Sequence, residues 1–209
     1  MLDGLMRRFM DPTLDEIGRR LAQARVSADA LTVIGLVAGL GCAAAVAAGA
    51  DGLALLLLLA SRLLDGLDGA VARASQKTDR GGFLDIVFDF AFYGALPLGF
   101  ALRDPGINAL PAALLLFSFY VNGASFLAFA AVAAKRGLET NVRGVKSIYF
   151  TAGLAEGTET ILAFAVMIVR PDWFPIIAYG FAGLTLMSAV SRVTLAWHAF
   201  RDEPDGGNP

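Results

Sequence analysis

Asp65-Gly-Leu-Asp68-Gly69-Ala-Val-Ala72-Arg73 closes the second of six apolar stretches, and Asp85 and Asp89 repeat the carboxylate pair near the start of the third. Ionisable side chains at membrane depth are costly, so such a cluster marks a functional site by default. On a helix Asp65 and Asp68 are i, i+3 neighbours and Asp85 and Asp89 are i, i+4, so each pair shares one face. Adjacent antiparallel helices then close four carboxylates around one small volume, where without a positive partner they repel one another. Hard oxygen donors in that arrangement suit Mg²⁺ or Mn²⁺. Two such ions, about 3.5 to 4 Å apart, clamp the attacking and leaving oxygens of an in-line displacement at phosphorus. Gly69 and Ala72 continue the face of Asp65 and leave room for a substrate. Arg73 ends it with a guanidinium suited to bidentate phosphate contact. The residues point to phosphoryl-type transfer.

Around this motif the chain reads as an integral membrane protein. Of its 209 residues 56% are hydrophobic and 17% charged, and the mean hydropathy is +0.62, too apolar for a soluble domain of this size. A net charge of -2, with no basic run interleaved with aromatics, excludes a nucleic-acid binder. Cys42, the one cysteine, excludes disulfide and cysteine-metal frameworks within one chain and reads as a small core residue.

The expected fold is all-α, a bundle of six transmembrane helices preceded by an N-terminal amphipathic interfacial helix. The spans fall near 30–49, 53–73, 83–102, 107–134, 148–169 and 173–199, each long enough or nearly so to cross about 30 Å of hydrocarbon. Breaks are marked by Asp51-Gly52, Asp79-Arg-Gly-Gly82, Arg103-Asp-Pro-Gly106, Lys135-Arg-Gly137 and Arg170-Pro-Asp172. Three segments follow: a juxtamembrane piece over 1–27, the six-helix domain over 28–200, and a disordered tail over 201–209. The N-terminus lacks the features of a signal peptide. It divides at Pro12 into two amphipathic pieces, the second opened by a capping box at Thr13-Leu-Asp-Glu16. Arg7, Arg8, Arg19, Arg20 and Arg25 flank its apolar face, as in a helix lying on anionic headgroups. Arg73, Lys77, Arg80, Lys135, Arg136, Arg143, Lys146 and Arg201 share its side of the membrane, against only Arg103 and Arg170 opposite, which places both termini in the cytoplasm. Asp65 to Arg73 then end an inward span and Asp85 and Asp89 begin an outward one, at similar depth.

The motif resembles the signature of the CDP-alcohol phosphatidyltransferase family, Asp-x2-Asp-Gly-x2-Ala-Arg-x8-Gly-x3-Asp-x3-Asp. Here it is carried by Asp65, Asp68, Gly69, Ala72, Arg73, Gly81, Asp85 and Asp89, with seven residues rather than eight between Arg73 and Gly81. The whole chain is most similar to a bacterial inner-membrane branch of that family. The resemblance implies a multi-pass inner-membrane homodimer that takes CDP-diacylglycerol or a related CDP-linked lipid as donor, an alcohol as acceptor, and releases CMP. It implies that Asp65, Asp68, Asp85 and Asp89 bind two ions, Mg²⁺ or Mn²⁺, and that Asp89 is also the base for the acceptor hydroxyl. Gly69, Ala72, Arg73 and Thr78 would contact the CDP moiety, Thr78 being placed by counting back from Asp85. Asp29 and Thr32, in Asp29-Ala-Leu-Thr32, match the family's entry segment as another part of the nucleotide pocket.

Other polar residues are candidates for the acceptor side. Glu156 and Glu159 sit in the fifth span at the depth of the acids, with Arg192 comparably placed in the sixth, and are read as lining the acceptor site, with an internal ion pair orienting helices as the alternative. Arg143 and Lys146 border the same mouth and suit an acceptor phosphate, or simply satisfy the charge asymmetry of the loops. Arg62, one turn before Asp65, reads as a structural partner of an acid, and His198 as interfacial. Two other functions compete: an intramembrane prenyltransferase, whose acids ionise a diphosphate with Mg²⁺, and a cation transporter. The first lacks the Asp-Gly-x2-Ala-Arg continuation, and the second predicts acids through both leaflets and an inverted repeat, which is not visible.

Overall fold

The computed structural model describes residues 3–136 and 157–200, with side chains from residue 11 onward. The described residues are all-helical: α1 (Asp3–Gln23), α2 (Ala28–Ala47), α3 (Asp51–Ala74), α4 (Asp79–Arg103), α5 (Pro105–Lys135), α6 (Gly157–Val169) and α7 (Phe174–Ala199), with a 3₁₀ turn at Pro171–Trp173 before α7. Helices α2, α4, α5 and α7 are long and apolar enough to cross a membrane. Helix α3 has the length, 24 residues, but carries Arg62, Asp65 and Asp68. Helix α6, of 13 residues, is apolar but shorter.

Local chemistry sets the breaks, in places a turn away from the sequence reading. Helix α2 stops because Gly49 takes a left-handed conformation (φ 73°), letting its own N–H and that of Ala50 bond back to Val46 and Ala45. Asp51 and Gly52, read as the break, already belong to α3. Asp79 to Gly82 likewise form the first turn of α4, because Thr78 caps it by accepting from Gly81 N at 3.0 Å. Asp104 caps α5 through Ile107 N at 3.2 Å, with Pro105 in the first turn.

The N-terminal piece also differs from expectation. Helix α1 runs unbroken through Pro12, and Thr13 lies inside it rather than at a cap. Packing carries the helix across the proline. Leu14 is buried against Gly66, and Gly18 approaches so closely that a methyl there would meet Ala70 Cβ at 2.6 Å. Glu16, in place of a capping role, pairs with Arg19 and Arg20. The Arg19 hydrogen bond leads the causes that hold its carboxyl below the ordinary range.

Helix α2 is the spine of the site. Both α3 and α4 pack along it, α4 then meets α5, α5 meets α7, and α6 touches α3 and α7. Small residues permit the closeness, as expected where helices associate in lipid. A Cβ on Gly39 would lie 2.7 Å from the Phe92 ring, and one on Gly99 only 2.5 Å from Ala43 O. Behind this seam sits a core of fully buried side chains, including Leu58, Phe92, Leu96, Phe100, Phe164, Met167 and Phe174. Phe92 meets Phe164 edge-on at 5.9 Å, and Phe100 stacks on Phe174 at 4.2 Å. Cys42 is buried there as a free thiol.

Large apolar side chains also cover the outside. Val37, Leu56, Leu110, Ile176 and Val190 are all more than 60% exposed, an arrangement that suits lipid rather than water. Trp173 and Trp197, exposed at opposite ends of α7, fall where aromatic residues anchor a helix at both interfaces.

Candidate active site

Helices α3 and α4 both lean on α2, and between their facing acids, α5, α6 and α7 a cavity of about 900 Å³ opens. Its walls divide chemically. One carries Asp65, Asp68, Asp85, Asp89, Arg62 and Arg73; Phe90, Tyr93, Phe119, Tyr120 and Phe126 give an apolar flank; Asn122, Thr158, Thr160, Thr185 and Arg192 supply neutral or cationic polar groups opposite.

The expected convergence of the acids is present for three of them. One carboxylate oxygen each from Asp65, Asp68 and Asp85 lies within 4.8 Å of the others. Asp89 lines the same cavity but is held by Arg62, whose Nη1 donates to Asp89 Oδ1 at 2.9 Å and lies 3.6 Å from Asp65 Oδ2. The reading of Arg62 as partner to an acid is therefore borne out. Its guanidinium rests 4.6 Å over the Phe92 ring, and its Nη2 donates to Ser61 Oγ at 3.2 Å.

These residues fit a divalent cation. Asp68 is 6% exposed, and its Oδ2 is buried with no hydrogen-bond partner, an arrangement costly for a carboxylate unless a cation meets it. All the donors are oxygen. Oxygens bound to one ion at about 2.1 Å lie at most about 4.2 Å apart, so the cluster needs to tighten by only about half an ångström.

The remaining sequence candidates are placed as follows. Gly69 and Arg73 line the cavity, but Arg73 already pairs with Asp15 of α1 at 2.7 Å. Ala72 is half-buried beside it and outside the lining. Thr32 is buried next to the acids, lining a niche of about 10 Å³ with Asp65, Asp68, Asp85 and Asp89. Its hydroxyl donates to Ala28 O at 3.0 Å. Asp29 and Thr78 meet at Gly81, where a built Cβ would sit 3.3 Å from the Asp29 carboxylate and 3.1 Å from Thr78 Oγ1. Arg80 pairs with Asp29 there.

On the acceptor side, Arg192 Nη1 donates to Asn122 O at 3.0 Å, Asn122 Oδ1 at 2.9 Å and Ser125 Oγ at 2.8 Å. Glu159 is half-buried in the first turn of α6, between Thr158 and Thr160 of the lining. Arg143, Lys146 and Glu156 lie outside the described residues. Sequence reading missed Asn122, Ser125 and Asp15. The first is detectable as an isolated amide in an apolar span, whereas Asp15 gives no sign before α1 is seen lying on α3.

The family model for CDP-alcohol phosphatidyltransferases matches residues 25–192. The chain belongs to the CDP-alcohol phosphatidyltransferase family. It is an enzyme of that class, a CDP-alcohol phosphatidyltransferase, which selects phosphatidyl transfer over the prenyl-transfer and cation-transport readings. Inner membrane protein YnjF of Escherichia coli K12 is 44% identical over 193 residues, 92% of this chain and 94% of that protein. Archaetidylinositol phosphate synthase of Methanothermobacter thermautotrophicus is 28% identical over 94% of this chain and 93% of its own length. Two crystal structures of Mycobacterium tuberculosis phosphatidylinositol phosphate synthase share the fold at 18% identity. One has CDP-DAG bound (TM-score 0.67, covering 91% of this chain and 98% of that one), and one is in complex with manganese and citrate (TM-score 0.63, covering 94% and 96%).

Proposed function

We propose that this family member moves a phosphatidyl group from CDP-diacylglycerol to the hydroxyl of an alcohol at the cytoplasmic face of a bacterial inner membrane, releasing CMP. The observation that carries this reading is the oxygen cluster of Asp65, Asp68 and Asp85 in the wall of a cavity that also holds Arg73 and Arg192. The aspartates and Arg73 form one wall, Arg192 stands on another, and an apolar flank lies between them.

In this reading Asp65, Asp68, Asp85 and Asp89 hold two divalent ions, Mg²⁺ or Mn²⁺. Bound there, such ions neutralise charge developing on the diphosphate and favour departure of CMP. Asp89, whose Oδ1 accepts from Arg62 in the resting arrangement, takes the acceptor's proton. The acceptor oxygen forms its bond to the lipid-side phosphorus as the bond to the CMP oxygen breaks; the products are the new phospholipid, CMP and one proton. Arg73 turns from Asp15 to the donor phosphate, while Gly69 and Ala72 leave space beside it. Thr32, Asp29 and Thr78, gathered around the ends of α2 and α4, complete the nucleotide side.

Arg192 takes the acceptor. Asn122 and Ser125 fix its Nη1 and leave the rest of the guanidinium to the cavity, a geometry suited to an anionic acceptor such as a polyol phosphate. Among residues outside the described segments, Arg143, Lys146 and Glu156 belong to this acceptor side, with Glu159. The relative named for inositol phosphate chemistry supports a phosphorylated acceptor.

The arrangement in the membrane is six spans over 28–200, with α3 and α6 added to the four apolar ones. Helix α1 lies at the cytoplasmic interface, both termini are cytoplasmic, and the enzyme is a homodimer. The test is product formation. Purified protein is given CDP-diacylglycerol, Mg²⁺ or Mn²⁺, and in turn glycerol phosphate, serine and inositol phosphate carrying ¹⁸O in the reacting hydroxyl. The expected product is one new phospholipid that retains the label, beside unlabelled CMP. Label in CMP, or no new lipid with any acceptor, refutes the reading.

A further inference from the structure

Arg62 is more than a neutraliser of whichever acid lies nearest. Its side chain is only 18% exposed and is fixed on three sides: by the Phe92 ring beneath it, by Asp89, and by Ser61 Oγ. Ser61 is itself anchored by donating to Gly35 O at 2.7 Å. The fourth direction differs, because the Arg62 Nε–H is buried with no acceptor. The residue lines both the large cavity and the small niche that the four acids share. A fixed cation therefore sits hydrogen-bonded on Asp89 and 3.6 Å from Asp65, while Asp65, Asp68 and Asp85 gather one oxygen each apart from Asp89.

We propose, resting on the reading that these aspartates bind divalent metal, that Arg62 is a positioning residue standing in for the second cation. It keeps Asp89 neutralised and withheld from the acid cluster until a second ion and the donor arrive. The first ion then binds at Asp65, Asp68 and Asp85, where Arg62 reaches only Asp65, at 3.6 Å and without a hydrogen bond. The second must draw Asp89 away from Arg62, whose guanidinium, with a donor Nε–H to spare, turns to the incoming diphosphate. Two consequences follow: the two ions bind with unequal affinity, and the weaker is strengthened by the anionic donor. A carboxylate freed of a unit positive charge a few ångströms away binds a cation better by roughly ten- to a hundredfold at the effective dielectric of such sites.

The experiment is Mn²⁺ titration of chelator-stripped, detergent-purified full-length protein, followed calorimetrically and by the spin resonance of free Mn²⁺. Wild type is expected to show one tight and one weak step. Arg62→Gln is expected to tighten the weak step roughly ten- to a hundredfold with a smaller effect on the tight one. Its metal-free melting temperature should fall modestly and recover on adding Mn²⁺, because the half-buried Asp89 is then left among Asp65 and Asp85 without its positive partner. Arg62→Lys, which keeps the charge, should stay close to wild type in the weak step. If Arg62→Gln is too unstable to strip, Phe92→Leu removes the platform but not the charge and should tighten the weak step severalfold. An unchanged or weakened second step in these variants overturns the role of Arg62, even where wild type binds two ions and Asp68→Asn loses the tight one. Failure of wild type to bind Mn²⁺ at all, or an Asp68→Asn variant that binds it as wild type does, overturns the metal reading and Arg62's role with it.

Discussion

Replacing Gly39 by alanine adds one methyl group at the point where α2 meets the platform of the site. Built on the present backbone, that methyl lies 2.7 Å from Phe92 Cδ2 and 3.1 Å from Ser61 Oγ, against an optimal carbon-carbon separation of about 3.5 to 4.0 Å. Close to an ångström of overlap with Phe92 must be relieved. Phe92 is fully buried and backed by Phe164, so the strain passes to the backbone or to Arg62, which rests on the ring. Overpacking of this kind costs about 1 to 3 kcal/mol, which for a chain of this length lowers the melting temperature by about 2 to 12 °C. The same shift moves Arg62 and with it Asp89, and a misplacement of about 1 Å in a reacting geometry costs up to ~10²-fold in rate. Thermal unfolding in detergent and turnover of CDP-diacylglycerol are measured together, with Gly180→Ala as control, since a methyl there meets nothing within 4 Å. The control should keep full activity and be neutral or more stable by up to about 1 kcal/mol from helix propensity. A Gly39→Ala variant as stable and active as the Gly180→Ala control refutes the account of the α2 seam.

Asp15→Asn releases Arg73 from its ion pair. Because the pair is about half exposed, stability should change by less than about 1 kcal/mol, while the KM for the CDP-lipid donor falls and kcat holds. Arg192→Lys loses the planar contacts to Asn122 and Ser125 and should raise the KM for the acceptor at least tenfold while leaving that for the donor within about twofold, read from initial rates. Asp51→Asn breaks the pair with Arg103 at the end of α3 remote from the acids; turnover should be unchanged and the melting temperature lower by no more than a few degrees.

The spacing of the acids made the site legible because helical periodicity is rigid: i, i+3 and i, i+4 pairs on two helices leave few ways to arrange Asp65, Asp68, Asp85 and Asp89. The helices were legible for the same reason, and their ends less so. Gly49 and Thr78 set the boundaries through a positive φ and a hydroxyl cap, while Asp51-Gly52 and Asp79 to Gly82, though rich in turn residues, were absorbed into first turns where acids and glycines are tolerated. Pro12 misled because local chemistry alone predicts a break that the docking of Leu14 and Gly18 on α3 overrides. What sequence could not give is which charges find each other. Arg62 to Asp89, Arg73 to Asp15 and Arg192 to Asn122 join residues 27, 58 and 70 positions apart, and such pairings depend on which helices pack together: α3 with α4 across α2, α1 with α3, and α5 with α7.

The central claim is that the aspartate cluster carries out transfer from a CDP-linked lipid. Its most direct test is CMP release from CDP-diacylglycerol in the presence of the stimulating alcohol, by wild type, chelated wild type and an Asp68→Asn variant of unaltered helical content and oligomeric state. The account predicts release that needs both divalent metal and alcohol, stops on chelation, returns when Mg²⁺ or Mn²⁺ is restored, and is lost in Asp68→Asn by at least about a hundredfold. Release that persists in Asp68→Asn, or that proceeds in excess chelator, contradicts it.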